Sequence, residues 1–248
     1  MIVLALDSTA AGGSCALARD GVALCERQGD PSQPQASRLP ADLMALLEAE
    51  GFHVSDVDVF AVATGPGAFT GLRVGIATMQ ALAFAGRKPL VGVSALDALA
   101  AIAAPFSGAP HGGEQQGTAH EGTGAGPSVR VATWVDAWRG EIYAALYANG
   151  AQIEDPIVAP PAALLERLRD DPPLFIGDAA GIYADMIRTM IGPRAAIASP
   201  AAPLLASTIA AMAGGRVRAG ECPLPDAIRP LYVRRSDAEL TRDARARG

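Results

Sequence analysis

Residues 64 to 75 read TGPGAFTGLRVG, a glycine-rich turn between a run of strand character, VDVFAVA, and a run of helical character, VGIATMQALAFAG. Such turns suit phosphate, because backbone N–H groups and the positive end of a helix dipole converge there. The residue types weaken that reading. A P-loop ends in lysine followed by serine or threonine, and the order G-P-G-A-F-T-G-L-R holds no lysine. A dinucleotide turn needs G-x-G-x-x-G after the first strand. Gly65, Gly67 and Gly71 are spaced differently, and Pro66 removes one N–H. The motif turn is thus Gly65, Pro66, Gly67, Phe69, Thr70 and Arg73, with Arg73 available to anchor either the turn or a carboxylate of a partner.

Other side chains able to do chemistry are few. Asp7, followed by Ser8 and Thr9, ends an apolar run and is expected to bond turn N–H groups. Asp136 and Glu141 flank a predicted turn that holds Arg139. They could serve as an acid/base pair, but an ion pair of Arg139 with either acid is the plainer expectation. His111 and His120 lie in a loop with no Cys or third His to complete a metal site. Cys15, Cys25 and Cys222 show no CxxC spacing. Buried reduced thiols, and hence the cytoplasm, are expected.

The elements that must position these residues fall into two αβ halves. IVLALD, SCALAR and GVALCERQ are predicted strands, with the Asp20-Gly21 step marking a hairpin. Leu39, Leu43, Leu46 and Leu47 keep helical spacing over 38–51. VDVFAVA is a strand, the motif turn opens a long helix, LVGVS is a strand, and Ser94 caps a further helix with Asp97 three positions on. Residues 107–128 are rich in glycine and poor in large apolar side chains, so a flexible insertion is expected there. After it, VRVATWVDA and EIYAALYANG pair as strands, AQIEDPIVA adds an edge, and PAALLERLRDD is a helix. PLFIGDAAG is strand then turn, and IYADMIRTMIG and LLASTIAAMAGGRVRAG are helices. The domains expected are an N-terminal, partner-binding subdomain at 1–106, the insertion at 107–128, a reduced αβ subdomain at 129–200, and a helix with an Arg-rich tail at 201–248. The last helix is expected to pack back on the first subdomain.

The helix after the motif turn raises a separate question. Gly71, Gly75, Thr78 or Met79, Leu82 and Ala85 recur every three or four positions and share one face. A glycine inside a helix costs up to about 1 kcal/mol, so Gly75 asks for a compensating close contact. That contact is either the protein's own sheet or a second subunit.

The formal charge of −6 makes the chain a poor candidate to grip nucleic acid alone. No apolar run approaches the roughly 20 residues that span a bilayer. The opening MIVLALDSTA is expected to be a first strand, not a signal peptide.

LALDST, GPGAFTGLRVGIA, VGVSALDALA, the D-A-x-R-G-E-I-Y of 136–143, FIGDAAG and PLYVRR occur in that order. Over essentially the whole chain this resembles the TsaB family, also called YeaZ. The resemblance implies an α/β fold of two ribonuclease-H-like subdomains of the sugar kinase/Hsp70/actin (ASKHA) type. It implies a non-catalytic scaffold role in threonylcarbamoylation of the tRNA adenosine beside the anticodon. The partners implied are a TsaD-like catalytic subunit and a TsaE-like ATPase, with tRNA met only through the complex and a homodimer when the partner is absent. The alternative is an independent ATP-binding, kinase-like enzyme or a metallopeptidase-like protein of the same superfamily.

Against that superfamily's needs, Asp7-Ser8-Thr9 is a passable phosphate loop. Asp136-Ala137-Trp138-Arg139-Gly140 sets Trp138 where a phosphate would lie, and Gly177-Asp178-Ala179-Ala180-Gly181 lacks the adenosine loop's glycine run. The metal-holding HxxxH pair of the TsaD relative is missing, and Pro34 stands where many members carry a histidine. Asp7, Ser8, Thr9, Asp136, Arg139 and Glu141 are therefore expected to be a vestigial nucleotide loop. No metal and no tightly bound cofactor are expected, with ATP or ADP at a subunit junction left open. The docking residues expected are Gly71, Leu72, Gly75, Ile76, Thr78, Met79, Leu82 and Ala85, so that Gly75→Leu would abolish pairing yet leave the monomer folded.

Overall fold

The computed structural model describes residues 1–104 and 130–233. The expected insertion at 107–128 and the tail beyond residue 233 lie outside the described residues.

The first lobe is built from β1 (Ile2–Asp7), β2 (Ser14–Arg19), β3 (Val22–Gln28), α1 (Gln35–Ala49), β4 (Val59–Gly65), α2 (Phe69–Gly86), β5 (Leu90–Ser94) and α3 (Ala95–Ala103). Its sheet order is β3-β2-β1-β4-β5. β1 runs antiparallel to β2 and parallel to β4, and β4 runs parallel to β5. Asp20 and Gly21, both at positive φ, make the β2–β3 turn. That is the conformation for which an Asp-Gly step is suited.

The second lobe repeats the scheme. β6 (Arg130–Asp136), β7 (Ile142–Ala148), β8 (Ala151–Gln152) and β9 (Ile157–Ala159) precede α4 (Pro161–Leu168) and β10 (Leu174–Ile176). α5 (Asp178–Ile182), α6 (Ala184–Ile191), β11 (Ala196–Ile197) and α7 (Ala206–Arg218) complete it. The sheet order β11-β10-β6-β7-β8 is that of the first lobe, with β6 and β7 antiparallel and β6 and β10 parallel. The expected single edge AQIEDPIVA is instead two short strands, β8 and β9, both paired to β7.

The strands are apolar on both faces because helices cover both. Ile2, Leu4 and Leu6 of β1 pack with Leu43, Leu46 and Leu47 of α1 and Ile76, Met79 and Ala83 of α2. Val3 and Ala5 face the other way, into a core shared with α3, α7 and Val131, Val135 and Ala145 of the second sheet. α7 follows the second lobe in sequence but packs on β1, β2 and β4. Its first amides are met by first-lobe side chains: Ala206 N donates to Ser14 Oγ at 3.1 Å and Ser207 N to Glu26 Oε1 at 3.0 Å. Those two contacts fix where α7 begins, since Leu205 at its N-cap offers no acceptor. Tyr147 of β7 donates its hydroxyl to Asp97 of α3 at 2.6 Å, a second tie between the lobes.

Candidate functional site

The loop after β1 is held from two sides. From α1, Gln35 Nε2 donates to the carbonyls of Ser8, Ala10 and Ala11. The buried guanidinium of Arg38 donates to those of Ala11 and Gly12 and pairs with Asp42 at 2.6 Å. From α2 the approach is backbone to backbone. Ala68 N donates to Thr9 O at 2.8 Å. A methyl on Gly67 would stand 2.6 Å from Thr9 Cβ, one on Gly71 2.6 Å from Gln35 Oε1 and closer to Ser8 O, and one on Gly75 against Ser8 Oγ. Gly67, Gly71 and Gly75 therefore let α2 lie on residues 8 and 9. This is the use of glycine where two backbones nearly touch.

That geometry corrects the expected docking face. Gly71, Leu72, Gly75, Ile76 and Met79 are buried within the chain, while Thr78 and Leu82 are half-buried and Ala85 is exposed. The glycine stripe is sealed by Ser8 and Gln35 and leaves no room for a second molecule. Gly75→Leu would drive a side chain into Ser8, so the expected folded monomer does not follow.

The other side of α2 is bare. Phe69, Thr70, Arg73, Ala77, Ala81, Phe84 and Ala85 are exposed. Arg73, Ala77, Ala81 and Phe84 follow the i, i+4, i+8, i+11 spacing of one helix face. Phe84 is 56% exposed and Phe69 42%. α1, packed beside α2, turns out Ala36, Ala41 and Ala45 as well.

Between the lobes is a cleft of about 120 Å³ lined by Asp7, Thr9, Ala10, Gly12, Gly13, Gln28, Leu99, Val135, Asp178 and residues 202–205. Asp7 accepts from Thr9 N at 2.9 Å and Thr9 Oγ1 at 2.6 Å. Burial is the main force pushing the Asp7 carboxyl above the ordinary carboxylate range, against those two bonds, and the charge of Asp178 adds to it. Asp178 is raised likewise, chiefly by burial, although it accepts from Asp136 N and Ala179 N. Of the expected vestigial loop, only Asp7 and Thr9 line the cleft. Ser8 lies behind it, fully buried against Gly75. Asp136, Arg139 and Glu141 do not line it, and Asp136 Oδ1 accepts from Trp138 N in the turn after β6. Trp138 is 48% exposed and is no plug of the cleft. Asp178 is the residue that sequence reasoning passed over. In the sequence it falls in a run depleted of glycine, although it stands just after a predicted strand much as Asp7 stands at the end of one.

The lining does not suit a nucleotide. It contains no lysine or arginine, presents the buried carboxyl of Asp7 and the half-buried one of Asp178, and is smaller than the roughly 300 Å³ at which ligand pockets begin. Among the described residues, no group of three or more His, Cys, Asp or Glu converges as a metal site. Of the cysteines only Cys15 is buried, and burial pushes its thiol to about 11. Cys25 is half-buried and Cys222 exposed, which corrects the expectation of three buried thiols. Among the described residues no helix is long and apolar enough to cross a membrane.

Two lobes with one repeated sheet order, facing each other across a cleft with an aspartate at a strand end on each side, define an α/β protein of the ASKHA type. The same fold, at a TM-score of 0.50 and 9% identity, occurs in an activator of 2-hydroxyisocaproyl-CoA dehydratase from Clostridium difficile. The family model described as TsaD, tRNA N6-adenosine threonylcarbamoyltransferase, matches residues 32–174. The chain is 31% identical to the Escherichia coli tRNA threonylcarbamoyladenosine biosynthesis protein TsaB over 59% of its own length and 55% of that protein's. It is 30% identical to an uncharacterised Mycobacterium tuberculosis protein over 96% and 93% of the two lengths. The solved structure of YeaZ from Pseudomonas aeruginosa superposes with a TM-score of 0.67 at 29% identity, covering 93% of this chain and 99% of that one. The chain belongs to the TsaB (YeaZ) family.

Proposed function

We propose that this protein serves threonylcarbamoyladenosine formation on tRNA, in the cytoplasm, as a non-catalytic subunit that docks on a TsaD-like catalytic partner. The observation that carries the docking is the outer face of α2, where Ala77 and Ala81 lie between the exposed rings of Phe69 and Phe84. Small residues between aromatic anchors let a partner helix approach closely while the rings fill its grooves. A self-complementary version of this contact gives a homodimer when the partner is absent. A TsaE-like ATPase joins the pair, and tRNA is met only through the assembly. The non-catalytic role is supported by the cleft, whose lining holds no lysine or arginine to meet a phosphate. No nucleotide is held tightly by the isolated subunit, and ATP or ADP at a junction with a partner is left open.

The test is size-exclusion chromatography of Ala81→Arg with the TsaD homologue of the same organism, after circular dichroism shows an unchanged fold. Loss of co-elution supports the proposal, and undiminished co-elution refutes it. Tight binding of ATP to the subunit alone would instead favour an independent enzyme.

A further inference from the structure

Beyond α7 the chain runs back across the first lobe as a strap. Gln80 Nε2, on α2, donates to the carbonyls of Pro225 at 2.8 Å and Ile228 at 3.3 Å. The Ile228 side chain closes over Gly92 of β5, where an added methyl would stand 3.3 Å from it. Leu231 N donates to Thr64 O at 2.7 Å, beside the motif turn. The strap thereby delivers Tyr232 to the first turns of α2. Phe69, Arg73 and Tyr232 meet there although the third is 159 residues from the second.

The arrangement holds one guanidinium. Arg73 Cζ lies 3.9 Å from the Phe69 ring centroid and 6.0 Å from that of Tyr232, and the two rings are 5.5 Å apart. Arg73 Nε donates to the Tyr232 hydroxyl at 3.0 Å. Among the described residues, the two terminal nitrogens of Arg73 have no hydrogen-bond acceptor and no carboxylate. The side chain is exposed, yet stacking and the Nε bond remove most of the rotamer freedom that an exposed arginine keeps. An arginine ordered in advance loses less entropy on binding, and its terminal nitrogens present a fork that fits a carboxylate.

Resting on the docking reading above, we infer that the Phe69–Arg73–Tyr232 cluster is the polar anchor of that interface, and that Arg73 binds an Asp or Glu carboxylate of the protein partner seated on α2. Continuity argues for this occupant. Arg73 lies on the same helix face as Ala77, Ala81 and Phe84, so whatever covers those residues reaches it. The surroundings argue for a protein over a phosphate backbone. Among the described residues the patch is aromatic and aliphatic, and the guanidinium of Arg229 is turned to the strap's own carbonyls of Asp226 and Ile228. Nucleic-acid binding requires several cations together, and the chain is net negative. Phe69 and Tyr232 are positioning residues in this scheme. The C-terminal strap thus belongs to the interface even though it is remote from α2 in sequence.

The test measures affinity for the TsaD homologue by calorimetry at two salt concentrations, for the wild type, Arg73→Ala, Tyr232→Phe and Ala81→Arg. The thermal midpoint of each variant is measured alongside. The inference expects Arg73→Ala to weaken binding at least tenfold and to flatten its salt dependence, with the midpoint unchanged. Tyr232→Phe, which keeps the ring and loses the acceptor of the Nε bond, should weaken it a few-fold. A strap that merely packs would leave the salt dependence of Arg73→Ala as in the wild type, and that result overturns the inference. If Ala81→Arg abolishes binding while Arg73→Ala and Tyr232→Phe bind as the wild type does, the docking face stands and the anchor is refuted. If Ala81→Arg binds normally, the docking reading has failed and the inference falls with it. Binding of a tRNA anticodon-arm RNA by the isolated protein, lost in Arg73→Ala, would assign the arginine to phosphate and also overturn the inference.

Discussion

The two lobes share one sheet order but not one covering. In the first, the outer face of the sheet carries α1 and α2, of 15 and 18 residues. In the second, the matching face carries α4, α5 and α6, of 8, 5 and 8 residues. The first pair bury a leucine-rich inner face and still present alanines and phenylalanines outward. The second set spend their apolar residues on Trp134 and Phe175, whose rings meet edge to face at 5.0 Å. A duplicated framework has thus been used twice, once to close a core and once to close a core and offer a surface. Within α2 the same contrast recurs. Its inner side is cut down to glycine for the chain's own loop, and its outer side leaves Ala77, Ala81 and Ala85 exposed.

Four substitutions probe that contrast, and the largest effect belongs to the inner side. Gly75→Leu places a branched side chain where Ser8 stands. It should cost upward of about 3 kcal/mol, lowering the thermal midpoint by roughly 10 °C or abolishing folding. A folded variant of wild-type stability would mean the inner face is not sealed. Next comes Ala81→Arg on the outer side, which should eliminate co-elution with the TsaD homologue while changing stability by no more than about 0.5 kcal/mol.

Asp7→Asn acts at the cleft and is smaller. The folded-state pKa of Asp7 is raised above its ordinary 3.8. The native state therefore binds the extra proton, and the contribution of Asp7 to stability is full below that value and lost as pH rises through the folded pKa. The amide variant does not suffer this loss. Its thermal midpoint, compared with the wild type in a pH series, should gain a few degrees as pH rises from about 4 to 7. A gain that instead grew as pH fell would contradict the buried, raised carboxyl. Smallest is Ile182→Arg in the second lobe, an apolar residue 62% exposed on α5. It should leave both stability and co-elution as in the wild type. If it breaks pairing, the asymmetry between the lobes is wrong.

The strands and most helices were legible because apolar runs, the Asp20-Gly21 step and the Ser94 cap are local signals. The Ser94 side chain accepts from Asp97 N at 3.4 Å, as the spacing suggested. The outward side of α2 was not legible. The helix is apolar or small almost all round, so its periodicity points weakly in any direction. Glycines and alanines give two small-residue stripes, and only the loop at residues 8 and 9, distant in sequence, decides which one is covered. The cleft partner of Asp7 was missed for a similar reason. Asp178 sits on a five-residue helix after a three-residue strand, and its approach to Asp7 depends on how the two lobes face each other. The strap carries no periodic signal, and Tyr232 finds Arg73 through single hydrogen bonds that no sequence pattern marks.

In the proposed function α2 divides its duties by side, with glycine turned inward to the chain's own loop and alanine turned outward to a partner. Hydrogen exchange on the isolated chain and on its mixture with the TsaD homologue separates the two sides. Addition of the partner should slow amide exchange in α1 and α2 of the wild type, and outer-face variants such as Ala81→Arg should fold as the wild type does yet show none of that slowing. Slowing by the partner that is undiminished in Ala81→Arg, or confined to the second lobe, would contradict that division.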